Sequence, residues 1–402
     1  MADVEPSPAP YERDFDHTSA HWAQHAPEIW DEYRTACPVA RSNAFGGTWL
    51  PTRHKDVAAI AHDTENYTNS GAVISPERPE IPPPVGFAPP ITSDPPFHAI
   101  ARRMLLPPFA PKPVKALEPF TRDYCNGLLD QLLADGPAGD AAVGYAQHIP
   151  VAIIAKMLGL PESDGEKFRG FIHRIMEAPG AGHDIADDET LEYYLDGQVA
   201  ERRLNPQSNE DGDLIDYLIN ADIEGMPLSD EHIRGTIALL LIAGIDTTWS
   251  AIGASIWHFA QHQDQRQILR DDPSLLPFAV EEMLRFYAPV TMARLASTDH
   301  ELGGCPVKRG DWLLLPFPAA NRDPEAFERA DEVLIDRKQN RHGAFGLGIH
   351  RCLGSNLARM ELTVALECFL HRVPEFELAN PEGVRWSTGQ IRGPRELPIR
   401  IL

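Results

Sequence analysis

The stretch Phe345-Gly346-Leu347-Gly348-Ile349-His350-Arg351-Cys352-Leu353-Gly354 sets one cysteine in a glycine-rich loop ahead of an amphipathic run, Ser355 to Leu370. A thiolate at the N-terminus of that run gains from unpaired backbone N–H groups and from the helix dipole. Such a sulfur is a ligand for a soft metal such as iron. With 16 Phe, 29 Gly and 5 Cys in 402 residues, Phe-x-x-Gly-x-x-x-Cys-x-Gly arises by accident roughly once in a thousand chains of this composition. A second group lies in Ala243-Gly244-Ile245-Asp246-Thr247-Thr248, where a carboxylate and two hydroxyls interrupt the apolar run Ile237 to Ile242. Polar groups inside a buried helix are costly unless paired. Thr247 can bond the carbonyl of Ala243, and Gly244 weakens the same turn, which favours a local kink or groove. A third group is His98 and Arg102, four residues apart at a helix start after Asp94-Pro95-Pro96. That spacing lets both reach one anion.

The elements that must position these groups are mostly helical. Ser229 is a candidate N-cap for a long helix reaching about Ala260. Amphipathic helices are expected over Phe120 to Leu133, Ile149 to Leu158, Leu275 to Phe286 and Asn356 to Leu370, and short strands near 47–51, 294–315 and 385–401. The Pro-rich stretch from Ser75 to Pro96 excludes helix and central strand, and reads as a loop over a pocket. Residues 178–190 and 1–20 read as flexible, which leaves 21–402 as a single domain, mainly α with small β-sheets. The net charge of −23 argues against nucleic acid or an anionic membrane as partner. Cys37, Cys125, Cys305, Cys352 and Cys368 are scattered, with no Cys-x-x-Cys, so neither a zinc site nor a disulfide framework is indicated. No secretory signal pattern opens the sequence, and its longest apolar run is too short to span a bilayer. A cytoplasmic monomer is expected.

The cysteine loop resembles the heme-binding loop of the cytochrome P450 family, soluble bacterial type, and the other motifs follow in that family's order. The resemblance implies the cytochrome P450 fold, heme b (iron protoporphyrin IX) as cofactor and the Cys352 thiolate as iron ligand. It places Phe345, Gly346, Gly354, Ala243 and Gly244 against the heme, and His98, Arg102, Arg294 and His350 on its propionates. Phe97 stands where the family often has an acid. Ala243-Gly244-Ile245-Asp246-Thr247 is similar to the family's distal-helix signature, in which Thr247 would hold O2 by a hydrogen bond and Asp246 would bring protons from solvent. Glu282 and Arg285, with Arg337, resemble a structural ion network. The substrate wall implied is Val73, Ile74, Val85, Phe87, Leu240, Val290, Thr291, Met292 and Ile391, beside Ala243 and Gln390. The implied activity is insertion of one atom of O2 into a small or medium apolar organic substrate. Electrons would come from an external ferredoxin and ferredoxin reductase, or a flavodoxin-type donor, docking near Arg102, Arg103, Arg341, His342, Arg351 and Arg359. A hydrogen-peroxide-driven peroxygenase, a non-catalytic heme-thiolate sensor and a binding protein without heme remain alternatives. The Asp246-Thr247 pair argues against the first, because proton delivery belongs to the O2 route.

Overall fold

In the computed structural model, which describes residues 11–75, 78–83, 87–134, 136–176, 190–206 and 212–402, Ser229 caps the central helix, Asp230–Gln261, by accepting the N–H of His232 at 3.2 Å. Asp230 and Glu231 put negative charge on its first turn, where the dipole favours it. This helix is apolar on all sides, the pattern of a helix with no solvent face. Residues from Ile233 to Ala260 are accordingly buried along most of its length. Helices His148–Leu158, Leu191–Leu204 and Ser355–Arg372 pack against it, and Glu118–Ala134 packs on the last of these. The helix is unbroken at Gly244, so the expected kink is absent and only the local groove described below remains.

A five-stranded sheet, in the order Val39–Ser42, Thr48–Pro51, Trp312–Pro316, Thr291–Ala296, Tyr67–Thr68, closes the other side. All its pairings are antiparallel except Thr48–Pro51 with Trp312–Pro316. Alternation along Thr291–Ala296 sends Ala293 and Leu295 into a core with Trp312 and Leu314. Met292 and Arg294, opposite Leu315 and Leu313 in register, therefore share the other face. Residues 11–19, expected to be loose, are docked: Phe15 and His17 are buried, and Tyr11 and Arg13 bond the backbone of Arg41. Residues 1–10 and 178–189 lie outside the described residues. Of the Pro-rich stretch, Arg78 lies over the Trp312 ring at 5.3 Å and Ile81 packs on the same core. The described part of the stretch is thus packed on the same core.

Glu282 and Arg285 on helix Leu276–Phe286 are fully buried and paired twice, at 2.8 and 2.7 Å. Arg337 and Asn340 join Glu282 at 2.9 and 3.0 Å. Arg285 also donates to the carbonyls of Asn321, Ala330 and Glu332, which have no strand or helix to pair with. Removing one member leaves the others as uncompensated buried charges. Glu282→Ala is therefore expected to lower unfolding free energy by about 3–5 kcal/mol, read by urea denaturation. Burial pushes His17 and His258 down to about 4, so both are neutral in the fold. The unfolded chain binds those protons near pH 6.5, so stability falls as pH drops from about 6.5 toward 4, by at most about 1.4 kcal/mol per unit per histidine. His258→Gln is expected to reduce that pH slope by one proton, measured as urea midpoints between pH 7 and 5.

Candidate active site

The cysteine loop is bent by glycine. Gly346 and Gly348 hold φ of 73° and 70°, a left-handed backbone that other residues seldom adopt. At Gly348 space is limiting as well: a Cβ there would come within 2.0 Å of the Ala61 carbonyl oxygen. Gly354 has an ordinary φ of −81° and serves as the N-cap of Ser355–Arg372. The Cys352 N–H donates to the Phe345 carbonyl at 2.6 Å and closes the loop. Cys352 is exposed, whereas Cys37, Cys125, Cys305 and Cys368 are buried. Desolvation by the surrounding loop raises its thiol pKa. The Gly354 N–H and the charges of Arg102, Arg351 and Arg359 act the other way, toward the thiolate.

Behind the loop, Arg359 lies over the Phe345 ring at 4.4 Å and grips Glu281 at 2.5 and 2.9 Å. His342 reaches the same carboxylate at 3.2 Å. Burial would raise Glu281, but these hydrogen bonds outweigh it and bring the acid down to about 2. Arg359 and His342, expected on a docking patch, thus have an internal partner, while Arg103, Arg341 and Arg351 are exposed. Glu281 has no motif to announce it; its role comes only from a contact across 78 residues.

The expected anion-binding groups converge. The His98 and His350 rings are 4.3 Å apart, and Arg102 bonds the carbonyl of Arg351. Burial, and then the positive charges of Arg294, His98 and Arg102, push His350 down to about 2. Burial pushes even Arg294 down to about 10, with Asp94 opposing. Asp94 itself is taken up by Thr68 and the Asn69 N–H. His98 Nε2 is buried and has no hydrogen-bond partner within the protein. Two arginines and two imidazoles, one with an unfilled ring nitrogen, suit the two carboxylates of a porphyrin, and the exposed Cys352 thiol suits its iron. The residues present therefore fit a heme.

On the central helix, the Thr247 hydroxyl donates to the Ala243 carbonyl at 2.9 Å, as its spacing predicts. Ala243 is exposed in the middle of this buried helix, and Leu239, Gly244 and Thr247 are partly open beside it. These positions form an internal groove. Leu240, expected in the substrate wall, is 7% exposed and packs with the main core. Asp246 is buried and ion-paired to Arg395 at 2.7 Å, a partner no local pattern points to.

Three chain segments meet at the expected wall. The Gln390 side chain accepts the Ile74 N–H at 2.6 Å and donates to the carbonyls of Ala72 and Thr291 at 3.2 and 2.9 Å. Val290 pairs with Ile391 through an isolated bridge. Ile74, Thr291 and Ile391 are buried, and Val73, Val290 and Met292 partly so. Phe87 is 66% exposed and is not brought into this group, and Val85 lies outside the described residues.

Residues 183–386 match the family model Cytochrome P450. The chain is 35% identical over 361 residues to nocardicin C N-oxygenase of Nocardia uniformis subsp. tsuyamanensis, covering 87% of this chain and 89% of that one. It is 34% identical over 377 residues to vitamin D3 dihydroxylase of Streptomyces griseolus, covering 91% of each. Among solved structures, the bacillaene polyketide synthase cytochrome P450 PksS of Bacillus subtilis 168 superposes with a TM-score of 0.85 at 27% identity, over 96% of this chain and 99% of that one. A cysteine loop built for a heme iron, on this fold and among relatives named as oxygenases and hydroxylases, leaves one assignment: the chain belongs to the cytochrome P450 family and is a monooxygenase.

Proposed function

We propose that the protein binds heme b through Cys352 and inserts one atom of O2 into a small or medium apolar organic substrate, with electrons from separate donor proteins. The observation that carries this reading is the exposed Cys352 thiol, set by a glycine-bent loop beside four converging cationic and imidazole donors. When bound, the heme supplies O2 activation, with the thiolate favouring O–O cleavage. Everything else falls to the chain. Gly354 N–H steadies the negative sulfur. His98, Arg102, Arg294 and His350 hold the propionates and so fix the ring in its plane. Thr247, already bonded to Ala243, presents a hydroxyl oxygen at the groove. Asp246 moves protons from solvent to that turn.

Ile74, Val290, Thr291, Met292 and Ile391 form the substrate wall, with Val73, and its mostly apolar character favours an apolar compound that is held largely by shape. Phe87 is left as an outer position and Leu240 as a supporting one. Relatives named for nocardicin C, vitamin D3 and mycinamicin IV carry different substrates, so the wall and not the family decides selectivity. The exposed Arg103, Arg341 and Arg351 suit an acidic ferredoxin or flavodoxin-type donor, whose docking would weaken with salt.

Cys352→Ser is expected to abolish the thiolate-type carbon monoxide difference spectrum of the reduced protein; retention of that spectrum would remove Cys352 as ligand. Thr247→Ala is expected to keep heme content while product per NADPH falls and hydrogen peroxide release rises, because reducing equivalents are diverted when the proton-handling hydroxyl is lost. A compound screen for the low-to-high spin shift of the ferric protein supplies the substrate for that assay.

A further inference from the structure

Arg395 belongs to no motif, yet it occupies a central place. Its Nη2 lies 2.7 Å from Asp246 Oδ1, its Nη1 donates to Ser250 Oγ at 3.0 Å, and its guanidinium lies over the Trp249 ring at 4.3 Å. Asp246, Trp249 and Ser250 are spaced i, i+3 and i+4, so one face of the central helix holds the whole guanidinium. The backbone that carries Arg395 is pressed onto that face. A Cβ on Gly393 would lie 2.3 Å from Ser250 Cβ, and one on Gly253 would lie 2.8 Å from Pro394 Cγ. Strand Pro394–Glu396 pairs with Arg385–Trp386, and the Ser387 hydroxyl bonds the carbonyls of Ile391 and Gly393 and accepts the Gly393 N–H. The turn from Ile391 to Arg395 is therefore stiff, with a substrate-wall residue at one end and the partner of Asp246 at the other.

We propose that Arg395 is the positioning residue that keeps Asp246 ionised and links it to the pocket wall. The inference rests on the proton-carrying role proposed for Asp246. A carboxyl group buried without a cation takes up a proton, because desolvation disfavours its charge. An arginine does not lose its own proton, so its pairing holds the carboxylate ready to accept one. A proton arriving from water adds to an Asp246 oxygen and loosens the ion pair. The new O–H passes its proton through water in the groove to the Thr247 hydroxyl oxygen, which releases its own hydroxyl proton into the groove, and the carboxylate returns to Arg395. No electron moves, and the arginine charge is unchanged throughout. The Asp246 side chain is 2% exposed and that of Arg395 15%, so the guanidinium is the outer member of the pair. A shift of the Ile391–Arg395 turn when substrate fills the pocket would be felt at Asp246.

The test uses the heme-loaded protein and four variants: Arg395→Leu, Arg395→Lys, Asp246→Asn and the double variant Asp246→Asn/Arg395→Leu. Infrared difference spectra of Arg395→Leu against the unaltered protein should show the carbonyl stretch of a protonated carboxylic acid. That band should be absent from Arg395→Lys and from the double variant. In urea unfolding, the two single substitutions should couple by roughly a factor of ten or more in the folding equilibrium. O2 uptake, driven by NADPH through a surrogate ferredoxin and ferredoxin reductase, should fall by roughly tenfold in Arg395→Leu, with a larger D2O effect. It should recover to more than half in Arg395→Lys and fall no further in the double variant than in Asp246→Asn alone. If Asp246→Asn leaves O2 uptake and its D2O effect unchanged, the role of Asp246 falls and the proposal with it. If Asp246→Asn is slow while Arg395→Leu shows no new carboxyl band and full O2 uptake, only the assignment of Arg395 falls. Losses that multiply in the double variant would make Arg395 a packing residue and overturn the proposal.

Discussion

The structure depends most on a charge pair that never meets water. Glu282 and Arg285 are both fully buried, and two charges in that position persist only if every donor and acceptor is used. The acceptors are supplied by the long irregular stretch between Asn321 and Asn340, which lacks a helix or strand to satisfy its carbonyls. The needs are reciprocal: the guanidinium of Arg285 requires acceptors, and the chain there requires donors. That stretch leads straight into the cysteine loop, through Asn321 Oδ1 accepting the Gly343 N–H at 2.7 Å. The position of the sulfur is therefore inherited from an ion network that takes no part in its chemistry.

A second dependence runs through the central helix. Its apolar circumference gives a rigid spine, interrupted at the turn Asp246–Ser250 by a group of polar residues. Three of these, Asp246, Thr247 and Ser250, are answered locally or by one distant strand. Thr247 turns inward to Ala243, while Asp246 and Ser250 turn toward Arg395. The groove is thus open where Ala243 lies and closed by charge where Asp246 lies. The faces proposed to handle oxygen and protons can share one helical turn because side chains one residue apart point about 100° from each other.

Much of this was legible in the amino-acid order, and the reason is local. The cysteine loop, the capped helix from Ser229 and the amphipathic helices near 118–134, 148–158 and 276–286 are written in short-range pattern, and the structure has them within a few residues of expectation. The His98–Arg102 pair and the Thr247–Ala243 bond follow from helical spacing alone. What escaped were contacts that only three-dimensional closure creates: Glu281 with Arg359, Gln390 with Ala72 and Thr291, Arg395 with Asp246. No periodicity links residues 78 to 318 positions apart. The misplacements have the same origin. The N-terminal residues from Tyr11 were read by composition, and their burial was decided by neighbours from other parts of the chain.

Gln390 shows what such closure entails for selectivity. One amide binds backbone groups of Ala72, Ile74 and Thr291, so segments from the first fifth, the last third and the end of the chain move as a unit. The shape of the cavity is then a shared property of three stretches and belongs to none of them. Side chains along any one stretch can diversify while the backbone frame stays fixed, since the amide holds main-chain atoms and is indifferent to what those residues display. Exchanging a single residue of the proposed wall would then alter which molecules fit while the frame that carries it stays put.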